Sequence, residues 1–113
     1  MKHNMMLHPG PFNMIKSGNK TIEMRLYDEK RNLIKIGDEI IFTDRETGNV
    51  LITRVKKLYL YKSFEELYKN FDKEKLGYNS AELANPKDMS KYYSVKDIEK
   101  YGVVGIEIEV IYE

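Results

Sequence analysis

Three side chains near the N-terminus carry the chemistry this chain offers: Lys20, Glu23 and Arg25, within Gly18-Asn19-Lys20-Thr21-Ile22-Glu23-Met24-Arg25. A lysine ammonium beside a carboxylate keeps its charge and binds phosphate, or, if desolvated, loses the charge and acts as a base. An arginine presents a planar fork of donors that matches a phosphate or the edge of a base. A glutamate accepts from an exocyclic amine, as carboxylates do from cytosine. Cation, carboxylate and cation together suit a nucleotide. The same spacing also describes a cross-strand ion-pair cluster, which on a surface contributes little.

The elements that must position these groups are legible around them. Pro9-Gly10-Pro11-Phe12-Asn13-Met14-Ile15-Lys16-Ser17 reads as a short helix. A proline suits its first turn, and Gly18 suits the left-handed position past its end. Thr21 to Leu26 then alternates as a half-buried strand, with Ile22, Met24 and Leu26 toward the core and Thr21, Glu23 and Arg25 on the opposite face. Lys20 falls at the junction of helix and strand.

Further along, Lys2–Leu7 is expected as a first strand and Glu39–Thr43 as another, introduced by the Gly37-Asp38 turn. Asp44–Asn49 is a hairpin loop in which Gly48 or Asn49 takes positive φ. Val50–Tyr61 is long for one strand, and its broken alternation at Lys56-Lys57 predicts a bulge. Helix starts are expected at the Ser63–Glu66 capping box, at Asn85-Pro86 and at Ser94–Asp97, with Gly102 ending the last. Glu74–Leu83 reads as a short helix or a loop, and Tyr27–Asn32 as a solvated, charged turn. Val103–Tyr112 alternates strictly, with Val104, Ile106, Ile108 and Val110 inward and Glu107 and Glu109 outward. Strands, inserted helices and a closing strand make an α+β chain.

The stretch from Gly18 to Arg25 resembles the G-x-K-x-x-E-x-R signature of the ASCH domain family, relatives of the RNA-binding PUA domains. Gly18, Lys20, Glu23 and Arg25 match it at full spacing. The Pro-Phe helix before it, Ile36–Phe42 after it, the Ser63–Leu67 helix and the closing Tyr101–Ile108 strand extend the resemblance over nearly the whole chain. It implies a small mixed β-barrel with flanking helices and a ligand cleft at Lys20, Glu23 and Arg25, to which Tyr93 is added because the family's longer members resemble this segment near the cleft. The family also contains small amidohydrolases that act on acetylated cytidine with a lysine and a threonine nucleophile from this stretch and a glutamate from further on. Lys20 matches that lysine, but Glu23 stands where the threonine would be, and a carboxylate does not form the same acyl-enzyme. Asp72, Glu74 and Glu82 all remain open for the distant acid. Hydrolysis through water activated by Lys20 and Glu23 is therefore the second reading, behind binding of RNA or of a modified nucleotide.

Composition bounds these readings. The 113 residues are expected to form a single domain over 1–113. Cysteine is absent, which excludes disulfides, thiolate catalysis and cysteine-ligated zinc, and fits a reducing cytoplasm. His3 and His8 are five apart, on opposite faces of a strand, so neither a metal site nor a cofactor is expected. No apolar run is long enough for a membrane span, and Met1-Lys2-His3-Asn4 followed by only Met5-Met6-Leu7 is not expected to act as a signal peptide. A net charge of +1 argues against sequence-blind binding of nucleic acid. Its distribution is uneven: residues 1–62 hold 12 Lys and Arg against 7 Asp and Glu, and residues 63–113 hold 7 against 11. The basic half contains the signature. The acidic half leaves a third reading, an interaction module that docks a partner protein.

Overall fold

The computed structural model describes residues 1–112. Residue 113, the last of the expected domain, lies outside the described residues. The chain runs β1 (Lys2–Leu7), α1 (Pro9–Lys16), β2 (Ile22–Leu26), β3 (Glu39–Asp44), β4 (Val50–Tyr61), α2 (Phe64–Lys69), α3 (Val95–Tyr101) and β5 (Val103–Tyr112). Short 3-10 turns cover Arg31–Leu33, Lys73–Leu76 and Pro86–Lys91.

The strands form one five-stranded sheet in the order β1-β3-β4-β5-β2, with β1 parallel to β3 and the other neighbours antiparallel. It curls into a half-barrel, the mixed α+β arrangement expected from the sequence. Curling has an identifiable cause in β4, whose register with β5 shifts at Ile52/Thr53 and again at Val55/Lys57. The second shift is the predicted bulge; an extra residue there bends the strand and increases its twist. Since β1 and β2 are the outer strands of the order, the seam of the half-barrel lies between them. Helix α1 connects the two and buries Phe12 and Ile15 in the barrel core.

That core is made by Met5, Leu7, Ile40, Phe42, Leu51, Val55, Val104, Ile106 and Ile108 together with α1. A second core lies on the other side of the sheet, where Ile22, Met24, Leu26 and Val103 pack against Phe64 and Leu67 of α2 and against Leu76. Gly105 makes that approach possible: a Cβ there would sit 3.3 Å from Ile22 Cγ2 and 3.4 Å from Leu67 Cδ1. Two cores correct the reading of β2. Ile22, Met24 and Leu26 do face a core, but it is the outer one under α2. Glu23 pairs with Ile106 and Arg25 with Val104, so both point to the concave face of the half-barrel. The face expected to be open is therefore covered as well, and Glu23 is only 3% exposed.

The helix ends follow the sequence closely. Ser63 accepts from Glu66 N, Asn85 from Lys87 N and Ser94 from Asp97 N. The Ser63 box is not reciprocal, because the Glu66 carboxylate accepts from Lys62 N, one residue before the expected donor. Of the two candidates in the hairpin loop, Gly48 takes the positive φ, at 77°. No helix among the described residues is long and apolar enough to cross a membrane.

Candidate functional site

Lys20, Glu23 and Arg25 meet at the seam. Gly18, at φ 86°, ends α1, and the Lys20 backbone N–H donates to Met14 O, so the lysine is set against the last turn of the helix. Two residues on, β2 begins, and its period of two places Glu23 and Arg25 on one face. Lys20 Nζ lies 2.9 Å from Glu23 Oε1. Arg25 Nε donates to Glu23 Oε2 at 2.9 Å, with Nη2 2.8 Å from the same oxygen. Nη2 also donates to the Met6 carbonyl at 3.1 Å. Since Met6 belongs to β1, the arginine ties the two sides of the seam together.

Glu23 is thus fully engaged. Oε1 faces Lys20 and accepts from its neighbour Met24 N, and Oε2 takes both arginine nitrogens. Four nitrogens thus stand within 3.2 Å of its two oxygens, as many as the lone-pair directions an ionised carboxylate offers. Burial pushes the Glu23 pKa up, but the charges of Lys20 and Arg25 and their hydrogen bonds outweigh it and hold the carboxyl at about 2. Burial likewise works against the Arg25 charge, and Glu23 more than restores it, raising the arginine above its ordinary value. Two cations and one carboxylate leave the cluster with one positive charge in excess.

The lysine side chain needs a floor, and Gly77 provides it. This residue follows the Lys73–Leu76 turn at φ 104°, and a Cβ there would come within 3.0 Å of Lys20 Cδ. Thr21 N donates to Lys75 O, which fastens the turn to the start of β2. Tyr93 lies close enough to Arg25 for its phenol to feel the guanidinium charge. Burial pushes the Tyr93 phenol up, while Arg25 pulls it the other way. Its ring stacks on the buried Phe64 of α2, with centroids 5.9 Å apart and planes 17° off parallel. Beyond it the rings continue outward, Tyr92 at 6.4 Å from Tyr93 and His8 at 6.4 Å from Tyr92.

Two features of this neighbourhood were not legible as site residues. Asp28 and Arg31, read as part of a solvated turn, are half-buried and paired, Arg31 Nη1 to Asp28 Oδ2 at 2.9 Å. Both exert their charges on Tyr93. Their i, i+3 spacing is the signal that could have paired them. His8 and Tyr92 come together only through the fold, and nothing in their spacing links them. By contrast, Asp72, Glu74 and Glu82 are all exposed, and none makes a hydrogen bond or ion pair with Lys20 or Glu23.

Comparison with known proteins agrees with this architecture. The ASCH domain family model matches residues 5–111. The crystal structure of hypothetical protein PH0355 superposes with a TM-score of 0.83 at 39% identity, covering 98% of this chain and 100% of that one. The solution NMR structure of protein PF0455 from Pyrococcus furiosus gives 0.77 at 37% identity, covering 98% of each chain. The ASCH domain from Lactobacillus crispatus JV V101 shares the fold at 15% identity, with a TM-score of 0.68 over 99% of this chain and 80% of that one. No curated protein matches the chain. A signature brought together at the seam, a shared fold and a family match over nearly every residue lead to one conclusion: the chain belongs to the ASCH domain family, a PUA-like fold family proposed for RNA binding.

Proposed function

We propose that this protein binds RNA, or a modified nucleotide derived from it, by taking a phosphate at Lys20 and Arg25. The observation that supports this most is the saturation of Glu23. Its oxygens are occupied by the two cations and a backbone N–H, so it has none to spare for a base amine. Its part is to hold a lysine and an arginine in one place, ready for an anion. An entering phosphate meets two oriented cations and no competing free carboxylate. Charge-assisted contacts of this kind are among the stronger hydrogen bonds.

Access sets the ligand. The side chains of Lys20 and Arg25 are 8% and 13% exposed, which suits the phosphate of a single splayed nucleotide and not a duplex groove. Tyr93, and outside it Tyr92 and His8, supply ring faces on which a base stacks. The same geometry disfavours Glu23 as a general base in amide hydrolysis, since a carboxyl held at about 2 has little affinity for a proton at neutral pH.

Fluorescence anisotropy with a labelled single-stranded RNA tests the proposal. Arg25→Ala, checked by circular dichroism for an intact fold, is expected to weaken binding about tenfold or more. The slope of log affinity against log salt should fall by about 0.7, one phosphate contact on a single strand. Unchanged affinity and slope would sink the assignment. Incubation with acetylated cytidine adds a separate arm: cytidine released by the protein but not by Lys20→Ala would replace binding with hydrolysis.

A further inference from the structure

A polar cavity opens on the convex face of the sheet, on the far side of β2 and β5 from the Lys20 cluster. Its volume is about 560 Å³, within the range of small-molecule sites. Three aromatic rings form its apolar wall. Phe71, just past α2, stands edge-on to Tyr59 at 4.9 Å and to Tyr61 at 6.4 Å. The two tyrosines lie two residues apart on the outward face of β4, and all three rings are only half-buried.

The polar groups in this cavity are of two kinds. Glu107, outward on β5, accepts from the Tyr59 hydroxyl through Oε1 at 2.9 Å. Its Oε2 makes no hydrogen bond among the described residues. Asn70 donates its amide N–H to Glu66 O, which turns the group and leaves Oδ1 without a protein donor among the described residues. Two acceptors therefore stand beside the aromatic wall. At the rim Lys75 is exposed and makes no ion pair among the described residues, whereas Lys56 is held by Glu109 at 3.1 Å.

We infer that this cavity binds a nucleotide whose base carries an exocyclic amine, cytidine or adenosine monophosphate. The base lies against Phe71 and the tyrosines, its amine donates to the Glu107 carboxylate, and its phosphate meets Lys75. Each part matches a recognition chemistry: π-faces stack on bases, carboxylates accept from amino groups, and lysine binds phosphate as a point charge. Uridine, which presents a carbonyl where cytidine has its amine, would set an oxygen against the carboxylate. The site is separate from the Lys20 cluster and does not depend on what binds there.

Two-dimensional NMR of the nitrogen-15-labelled protein, titrated with CMP and with UMP, tests the inference. CMP is expected to produce saturable shifts at the amides of Asn70, Phe71, Lys75 and Glu107, and UMP to bind about tenfold more weakly, the difference made by one hydrogen bond to a charged group. Glu107→Gln still accepts from the Tyr59 hydroxyl and should fold; it is expected to abolish the difference between the two nucleotides. Lys75→Ala should weaken both alike. Equal affinity for CMP and UMP in the unaltered protein, or shifts absent from these four amides, overturns it. Shifts confined to Lys20, Arg25 and Tyr93 would support the phosphate site and reject this one.

Discussion

Two carboxylates in this molecule are held at about the same pKa by opposite means. Glu23 is lowered to about 2 inside the half-barrel, and Asp38 to about 2 in the turn before β3. For Asp38 the largest cause is the hydrogen bond with His3, 2.8 Å away; the Lys35 N–H adds to it, and the N-terminal ammonium stands 3.3 Å off. These partners, not the core, are what cover it. For Glu23 the largest effect is burial, which opposes ionisation, and only two cations acting together reverse it. Water can take the place of a donor lost from Asp38. Nothing can take the place of a partner lost from Glu23, because at 3% exposure water hardly reaches it. Equal acidity at two sites therefore does not mean equal stability.

Replacing the carboxylate is the hardest test of that contrast. Glu23→Gln leaves Lys20 and Arg25 without a counter-charge, and breaking a buried pair in this way costs about 3–5 kcal/mol. Urea denaturation should show it as a lower midpoint with an unchanged slope. A loss below about 1 kcal/mol, the size of a surface pair, would remove the distinction between the two carboxylates.

Acid sharpens the same comparison. A group whose folded pKa lies below its unfolded value stabilises fully above the unfolded pKa and loses that contribution as pH falls through the folded one. For Glu23 the window runs from about 4.5 down to about 2, and the shift is worth roughly 3 kcal/mol. Below pH 4.5 the stability gap between the unaltered protein and Glu23→Gln should narrow steadily. A gap that stays constant to pH 2.5 would contradict the assigned shift.

Gly77→Ala probes the floor under Lys20. A side chain at φ 104° is strained, and its Cβ would push on Lys20 Cδ. The expected cost is about 1–2 kcal/mol, with weaker RNA binding because the lysine moves. A substitution that lowers stability and leaves affinity alone would separate Lys20 from the ligand. The smallest effect belongs to the half-buried His3–Asp38 pair: His3→Ala should cost less than about 1 kcal/mol at neutral pH, read from the same urea midpoints.

Much of the fold could be read from local pattern, because the relevant physics is local. The helix from Pro9, the bulge near Lys56-Lys57, the caps at Ser63, Asn85 and Ser94 and the last strand each follow from neighbouring residues. The reading of Tyr27–Asn32 went too far toward solvent, since a run of charges does not say which of them will find a partner. Asp28 and Arg31 did.

By itself the sequence determined the element order and the grouping of Lys20, Glu23 and Arg25. Both are set by spacing: 3.6 residues per turn in a helix and two per repeat in a strand. Only the tertiary structure decided which face of β2 is the concave one. A single strand with a core on each side shows the same alternation whichever face carries the charges. Sheet order and the position of α2 resolved it, turning Glu23 inward beside Ile106 and closing Gly77 over the lysine. Strand alternation gave the carboxylate its neighbours, and the curl of the sheet took away its water.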